Sequence, residues 1–262
     1  MKKITSKENP QVKLASSLKH RKFRLKEGLF ILEGKKMVRE ALESSENALK
    51  SIFVSENVRE EYESLAEQYN SVSWYVVDDR LMKHICGTET PQGVAGIARI
   101  PSWDFHKLLK SESLIVLGDK IADPGNLGTI IRTAFAFNVG GILLTSGSAD
   151  PFSPKVVRSS MGGILNVPIF TDTDLGEIKA FKENGYVLAG ASINSSLSYE
   201  NVDYTGKKII VIGSEAHGIS PEIRGLCDVL FTIPINPRVD SLNAAIACAI
   251  ILSRASLARE GL

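Results

Sequence analysis

Five short runs of this chain are apolar without alternation: LIVLGD (114–119), GILLT (141–145), YVLAGA (186–191), KIIVIG (208–213) and VLFTIPI (229–235). A strand with one wet face alternates apolar and polar residues, so runs like these belong to strands covered on both faces. That is the signature of a mostly parallel sheet with helices on each side. The text between them reads as helix: PGNLGTIIRTAFAFN, a stretch from Ser153-Pro154 to Met161, Leu175–Asn184, SPEIRGLC, and a last helix beginning at Ala244. Such sheets gather ligands beyond the carboxyl ends of their strands. Three polar clusters fall at those ends, over Asp119–Arg132, Gly213–Ser220 and Asn236–Asn243.

The first hundred residues alternate separately. LFIL, SIFVS, VSWYVV and GVAGIARI read as strands, and KKMVREALES, VREEYESLAEQYN and DDRLMKHIC as helices, the last opening on Asp. This predicts a small α/β domain over 1–100. A linker is expected over 101–112, where Pro101, Ser102 and Trp103 break the pattern, and a second domain over 113–262. The net charge of +1 hides an asymmetry: Met1–Lys26 holds nine Lys or Arg against Glu8 alone, so it carries +8 and the remainder −7. A basic arm on an acidic body suits a polyanionic partner, although a plain solvated helix has the same composition. Cys86, Cys227 and Cys248 form no CxxC pair, which disfavours a zinc site or disulfide framework and fits a reducing cytoplasm. No apolar h-region follows the basic start, and Ala244–Leu252 is too short to span a bilayer.

Each cluster has candidate chemistry. In the first, Asn126 is suited to cap the following helix. Arg132 sits among Ile130, Ile131, Ala134 and Phe135, either aimed at a phosphate or carboxylate in the cleft or snorkelling at the helix edge. Neither GxGxxG nor GxxxxGK[ST] is present, which disfavours a dinucleotide or ATP site. In the second, Glu215 lies on a loop between Gly213 and Gly218, free to orient Arg132 or to remain a plain loop carboxylate, and His217 reads as solvent-facing. In the third, backbone groups near Ile233–Ile235 can meet an adenine edge, and Ser241 can cap the last helix. Small apolar residues on nearly every side of Ala244–Leu252 imply a helix packed on more than one face, which would set Ser241 and Asn243 on a buried element.

Taken in order, Asn126-Leu127-Gly128 with Arg132, then GSEAHGIS, then IPINPRVDSLN resemble the three motifs of the SpoU family. Its members are RNA ribose 2′-O-methyltransferases of the SPOUT class. SADPFSPKVVRSSMGG supports the likeness through Pro154, Lys155, Arg158, Ser160 and Gly162, and the N-terminal part is similar to the small RNA-binding domain that often precedes such catalytic domains. The resemblance implies an S-adenosylmethionine-dependent enzyme acting on RNA, with large-subunit ribosomal RNA the favoured substrate. A tRNA ribose methyltransferase, an enzyme methylating a base nitrogen, and a non-catalytic RNA-binding protein are the alternatives. It implies a cytoplasmic homodimer with no membrane or DNA partner and no metal. It also implies a deep trefoil knot threaded by the last helix, where the alternation alone gives an unknotted doubly wound sheet. Carried over by position, the backbone at Gly190, Gly213, Ile233 and Leu242 contacts the cofactor, and Asn126, Arg132, Glu215, Ser241 and Asn243 line the catalytic site. Pro237 stands where many members have Gly, which implies a stiffer ligand loop.

Overall fold

Lys-rich as it is, the N-terminus carries Val12, Ala15 and Leu18 at a spacing that gives its helix an apolar face, with Ile4 ahead of them. In the computed structural model, which describes residues 1–44 and 48–261, all four are buried. The first of two compact units comprises Met1–Ser102 and Phe152–Leu165. Its elements run β1 (Lys2–Lys3), α1 (Pro10–Ser17), α2 (Arg21–Glu27), β2 (Leu29–Glu33), α3 (Lys35–Ser44), β3 (Leu49–Ser55), a 3₁₀ turn over Glu56–Tyr62, α4 (Glu63–Gln68), β4 (Ser73–Val77), α5 (Asp79–Cys86) and β5 (Val94–Arg99). The sheet order is β1-β4-β3-β5-β2, with β5 antiparallel to both its neighbours. Leu29 and Ile31 of β2 join the core formed with α1 and α5. Phe30, one position out of phase, meets Phe152 at a ring-centroid distance of 5.1 Å.

The basic arm is therefore part of the domain. Asn9 caps α1 by accepting from Gln11 N at 2.9 Å, with Pro10 at the first helical position. Lys19 donates to the His84 carbonyl, and burial pulls its ammonium below the usual lysine range. Arg24 is buried and donates from Nη1 to the Leu18 carbonyl at 2.7 Å. Where one long helix was expected over VREEYESLAEQYN, the chain makes a 3₁₀ turn and then a short α-helix.

The second unit comprises Trp103–Pro151 and Asn166–Leu262. The residues expected as a linker open it with α6 (Phe105–Lys110), capped by Asp104, which accepts from Lys107 N at 3.1 Å. This helix buries Leu108 and Leu109, and Phe105 packs edge-on to Phe170 and Phe181, each at 5.3 Å. Then follow β6 (Leu114–Asp119), α7 (Pro124–Ala136), β7 (Gly141–Leu144), α8 (Pro154–Ser159), α9 (Gly163–Asn166), β8 (Ile169–Phe170), α10 (Leu175–Glu183), β9 (Val187–Ala191), β10 (Lys208–Gly213), α11 (Pro221–Arg224), β11 (Val229–Phe231) and α12 (Ala244–Arg259). The sheet order is β11-β9-β10-β6-β7-β8, and every pairing in it is parallel. The double burial read from the sequence is met in β6 and β7, which are buried along their whole lengths. It is not met at the edge, where VLFTIPI yields only the three-residue β11 with Val229 and Leu230 half-buried and β9 opens on the exposed Val187. One face packs on α6, α10 and α11 through Leu108, Ile178, Phe181 and Ile223. On the other lie α7 and α12, which also touch each other.

Two differences bear on function. Although α8 and α9 lie between β7 and β8 in sequence, α8 and all of α9 but Asn166 cluster with the first unit. There Arg158 reaches Glu33 at 3.3 Å, while Thr88 donates to the other Glu33 oxygen at 2.8 Å. The last helix packs by a single stripe, Ala244, Ala245, Cys248, Ile251, Leu252 and Ala255, and not on several faces as its composition implied. Ile246 is 50% exposed and Leu257 45%.

The three thiols are unpaired. Burial pushes Cys86 and Cys248 up to about 12 and Cys227 up to about 11. All three stay protonated in the folded protein at neutral pH, where a maleimide or iodoacetamide finds no thiolate. Native protein near pH 8 is expected to resist labelling at Cys86 and Cys248, and unfolded protein to label at all three sites. Because these folded-state values lie above the unfolded one, stability is full below pH about 9 and falls as pH rises toward about 12. Rapid native labelling of either buried thiol would contradict this.

Candidate active site

Asp119 ends the apolar strand β6 and pairs in register with Gly213 at the end of β10. It is 1% exposed. Its carboxylate accepts from Thr145 Oγ at 2.9 Å on one oxygen and from Ser220 N at 2.7 Å on the other. The loop after β10 is thus held at both ends, by the strand at Gly213 and by Asp119 at Ser220. Between them Ser214 and Gly218 exchange backbone hydrogen bonds of 3.1 and 2.8 Å, with Gly218 at φ +67°. A methyl group at Gly213 would overlap the Gly218 backbone. Only glycine lets the chain turn back on itself there.

The turn presents Glu215 to two carboxamides. Asp123, not Asn126, caps α7: its side chain accepts from Asn126 N at 2.8 Å, with Pro124 at the first helical position. That frees the Asn126 side chain, which donates from Nδ2 to Glu215 Oε1. Asn126 Oδ1 accepts from Asn243 Nδ2 at 2.9 Å. Asn243, in turn, caps α12 by accepting from Ala245 N at 3.0 Å and Ile246 N at 3.2 Å. This corrects the expected cap, Ser241, which is exposed and makes no such bond; Asn243 is exposed as well. The order of atoms in the relay is forced. Two helix N–H groups require Asn243 to turn its oxygen inward, so its NH₂ faces Asn126, whose own NH₂ then faces the carboxylate.

Beside this relay lies a cavity of about 390 Å³, within the usual range for small-molecule sites. Gly213, Glu215, Ile233, Ser241 and Leu242, named from sequence, all line it. Gly190 does not: its missing side chain makes room for Ile219 and Leu230, which do. Asn126, Asn243 and Arg132 lie off the wall. Arg132 is exposed on α7, six residues beyond Asn126, and no hydrogen bond or ion pair joins it to any described residue. Pro237 occupies the second position of a turn closed by Val239 N on the Asn236 carbonyl at 2.9 Å, where its fixed φ is favourable.

Sequence reasoning missed Asp119 and Arg224. The first could have been suspected as an acid ending a doubly buried strand. The second lines the cavity from α11, a helix too short to phase by periodicity. His217, set aside as solvent-facing, is indeed exposed but also borders the cavity. Among the described residues no cluster of His, Cys, Asp or Glu could hold a metal ion.

The relay makes a prediction. Asn126→Asp keeps the size but turns a donor toward Glu215 into a second carboxylate. It is expected to destabilise the fold by roughly 0.5–1.5 kcal/mol in urea unfolding, more than Asn126→Ala does. Equal stabilities for the two variants would show that the order of donors and acceptors is immaterial.

Comparison with known proteins identifies the family. The SpoU rRNA Methylase family matches residues 113–253, more than half of the chain, and an MRM3-like substrate binding domain matches 9–96. The 23S rRNA (guanosine(2553)-2′-O)-methyltransferase RlmP of Bacillus subtilis is 29% identical over 252 residues, covering 96% of this chain and 98% of that protein. Among solved structures, an AdoMet-bound rRNA methyltransferase from Sinorhizobium meliloti superposes with a TM-score of 0.87 at 31% identity, covering 97% of each chain. The SpoU methyltransferase AviRb from Streptomyces viridochromogenes, in complex with AdoMet, gives 0.85 at 26% identity over 97% of this chain and 100% of that one. With its second and third motifs lining one cavity and the first joined to them through Asn126, this chain belongs to the SpoU methylase family.

Proposed function

We infer that this chain methylates a ribose 2′-hydroxyl of RNA, with large-subunit ribosomal RNA as its substrate, using S-adenosylmethionine. The observation that carries the reading is the Asn243–Asn126–Glu215 relay, set beside a cavity walled by Gly213, Ile233 and Leu242. The cavity suits the cofactor: its volume is adequate, and the close turn at Gly213 brings peptide groups to its edge. When bound there, S-adenosylmethionine supplies a methyl group on a sulfonium leaving group.

The remaining work falls to the side chains. Alignment of reacting atoms is worth about 7–11 kcal/mol in favourable cases, so the rigid wall is itself a catalytic device. Asn126 fixes Glu215 through one oxygen, Oε1. The other, Oε2, is the acceptor we assign to the proton leaving the 2′-hydroxyl. Arg132 brings a planar cationic guanidinium. Its role in this scheme is to hold the adjoining phosphate and steady negative charge growing on the 2′-oxygen. Ser241, exposed on the cavity wall, faces the ribose.

Two copies complete the enzyme in this proposal. Phe135, on the same helix as Arg132, is 44% exposed, and Ile246 on the adjoining α12 is 50% exposed. Apolar groups on two touching helices favour a second copy of the chain as their cover. The proposal also includes threading of α12 through a trefoil knot, supported by its packing on both α7 and β10. A cytoplasmic setting is supported by three unpaired thiols and by the absence, among the described residues, of any helix long and apolar enough to cross a membrane.

Mapping ribose methylation in total RNA from cells with and without the protein tests the reading directly. One 2′-O-methyl mark in large-subunit rRNA is expected to vanish; loss of a base methylation or of a tRNA mark instead would overturn the assignment. Glu215→Gln keeps the Asn126 contact and removes the base. It is expected to lower kcat by roughly 10²–10⁴-fold with little change in cofactor affinity, and full turnover would move the proton acceptor elsewhere. Arg132→Lys retains charge without the planar fork and is expected to lose turnover as well. Phe135→Glu is expected to convert a dimer to a monomer in light scattering; a wild-type monomer would end the dimer proposal.

A further inference from the structure

α2 is turned against the usual rule. The one residue of Arg21–Glu27 that points into the protein is Arg24, buried and bonded to the Leu18 carbonyl. Its apolar residues point out: Phe23 is 39% exposed and Leu25 68%. With Arg24 facing in, helical geometry places Lys22 and Lys26 together on the outermost ridge, flanked by Phe23 on one side and Leu25 on the other. His20, at the helix start, lies edge-on to Phe23 with ring centroids 6.4 Å apart.

Left alone, each of these features costs stability. Like charges four residues apart repel along a helix. A buried arginine needs its hydrogen bonds to offset desolvation, and two exposed apolar side chains leave apolar surface in water. One kind of partner turns the outward-facing charges and rings to advantage: a polyanion that also carries flat apolar rings.

We propose that the outer face of α2 is where an unpaired stretch of the RNA substrate lies, with Lys22 and Lys26 against phosphates and Phe23 under a base. A duplex buries its base faces in its own stack and cannot offer one to Phe23, whereas unpaired nucleotides can. The basic N-terminal segment thus acts as a shaped surface and not merely as a cloud of charge. This rests on the reading of the chain as an RNA methyltransferase, and it adds the form of RNA recognised and the residues that recognise it.

The test is binding of the full-length protein, without cofactor, to a fluorescein-labelled oligouridylate of about 12 nucleotides and to a duplex of equal length. Phe23→Ala is expected to weaken single-strand binding by roughly 5- to 100-fold. It should leave duplex binding and the salt dependence nearly unchanged, and Phe23→Trp should restore affinity. Lys22→Ala with Lys26→Ala is expected to reduce the slope of log affinity against log salt by about 1.4. Unaltered single-strand affinity in Phe23→Ala, an equal loss on duplex, or no wild-type binding to the single strand would overturn the proposal. Failure of the methyltransferase reading would appear elsewhere, as the absence of saturable S-adenosylmethionine binding by the same preparation.

Discussion

The second unit is organised around one line of hydrogen bonds, from the N–H groups of Ala245 and Ile246 through Asn243 and Asn126 to Glu215. Its direction is set at both ends by groups that cannot reverse: helix N–H groups only donate, and a carboxylate only accepts. Each asparagine must therefore be an amide. Serine lacks the reach, and aspartate the donor. The line joins the first turn of α7, the loop after β10 and the start of α12, three segments far apart in sequence that meet only when the parallel sheet has formed. Asp119 supports it from below by fixing Ser220 to the end of β6. Capping is worth about 1 kcal/mol to a helix, so the bond that starts α12 also aims the group that reaches Glu215.

Where helices break the pattern of apolar-in and polar-out, the exceptions gather at surfaces with a use. The single buried stripe of α12 leaves Ile246 outward, and α7, which it touches, leaves Phe135 outward. In α2 an arginine is inside and a phenylalanine and leucine outside. A monomer tolerates scattered apolar groups, but these stand on elements that carry a proposed site residue or a cationic ridge. The physical reading is common to both: apolar surface left in water is free energy that a partner can recover.

Much of the sheet architecture was legible because it depends on local pattern. Doubly buried strands announce themselves by uninterrupted apolar runs, and β6, β7 and β10 fall within a residue of where those runs stand. What failed were judgements that depend on neighbours in space. Asp123 and Asn126 are both chemically able to cap α7, and Pro124 between them was the clue that the earlier residue does so. The charge count of Met1–Lys26 obscured the apolar spacing of Val12, Ala15 and Leu18, which fold that segment into the core. Short elements such as α6 and β8 offer too few residues for any period to show. The clustering of α8 with the first unit could not be read at all, since nothing in its own sequence says where the chain will return.

Glu215 and Arg132 are held in opposite ways. The carboxylate is held by an amide whose own position is fixed two bonds further back, so its place is set before any substrate arrives. The guanidinium has no partner among the described residues. Immobilising a long cationic side chain costs up to about 2 kcal/mol of rotamer entropy, and in the proposed scheme that cost is deferred until a phosphate is present to offset it. Such a division makes chemical sense. A proton acceptor must stand ready at a defined angle to the hydroxyl, whereas a phosphate clamp gains selectivity by ordering only around a ligand with the right charge. In this scheme the anionic half of the site is built by the fold, and the cationic half is completed by the RNA.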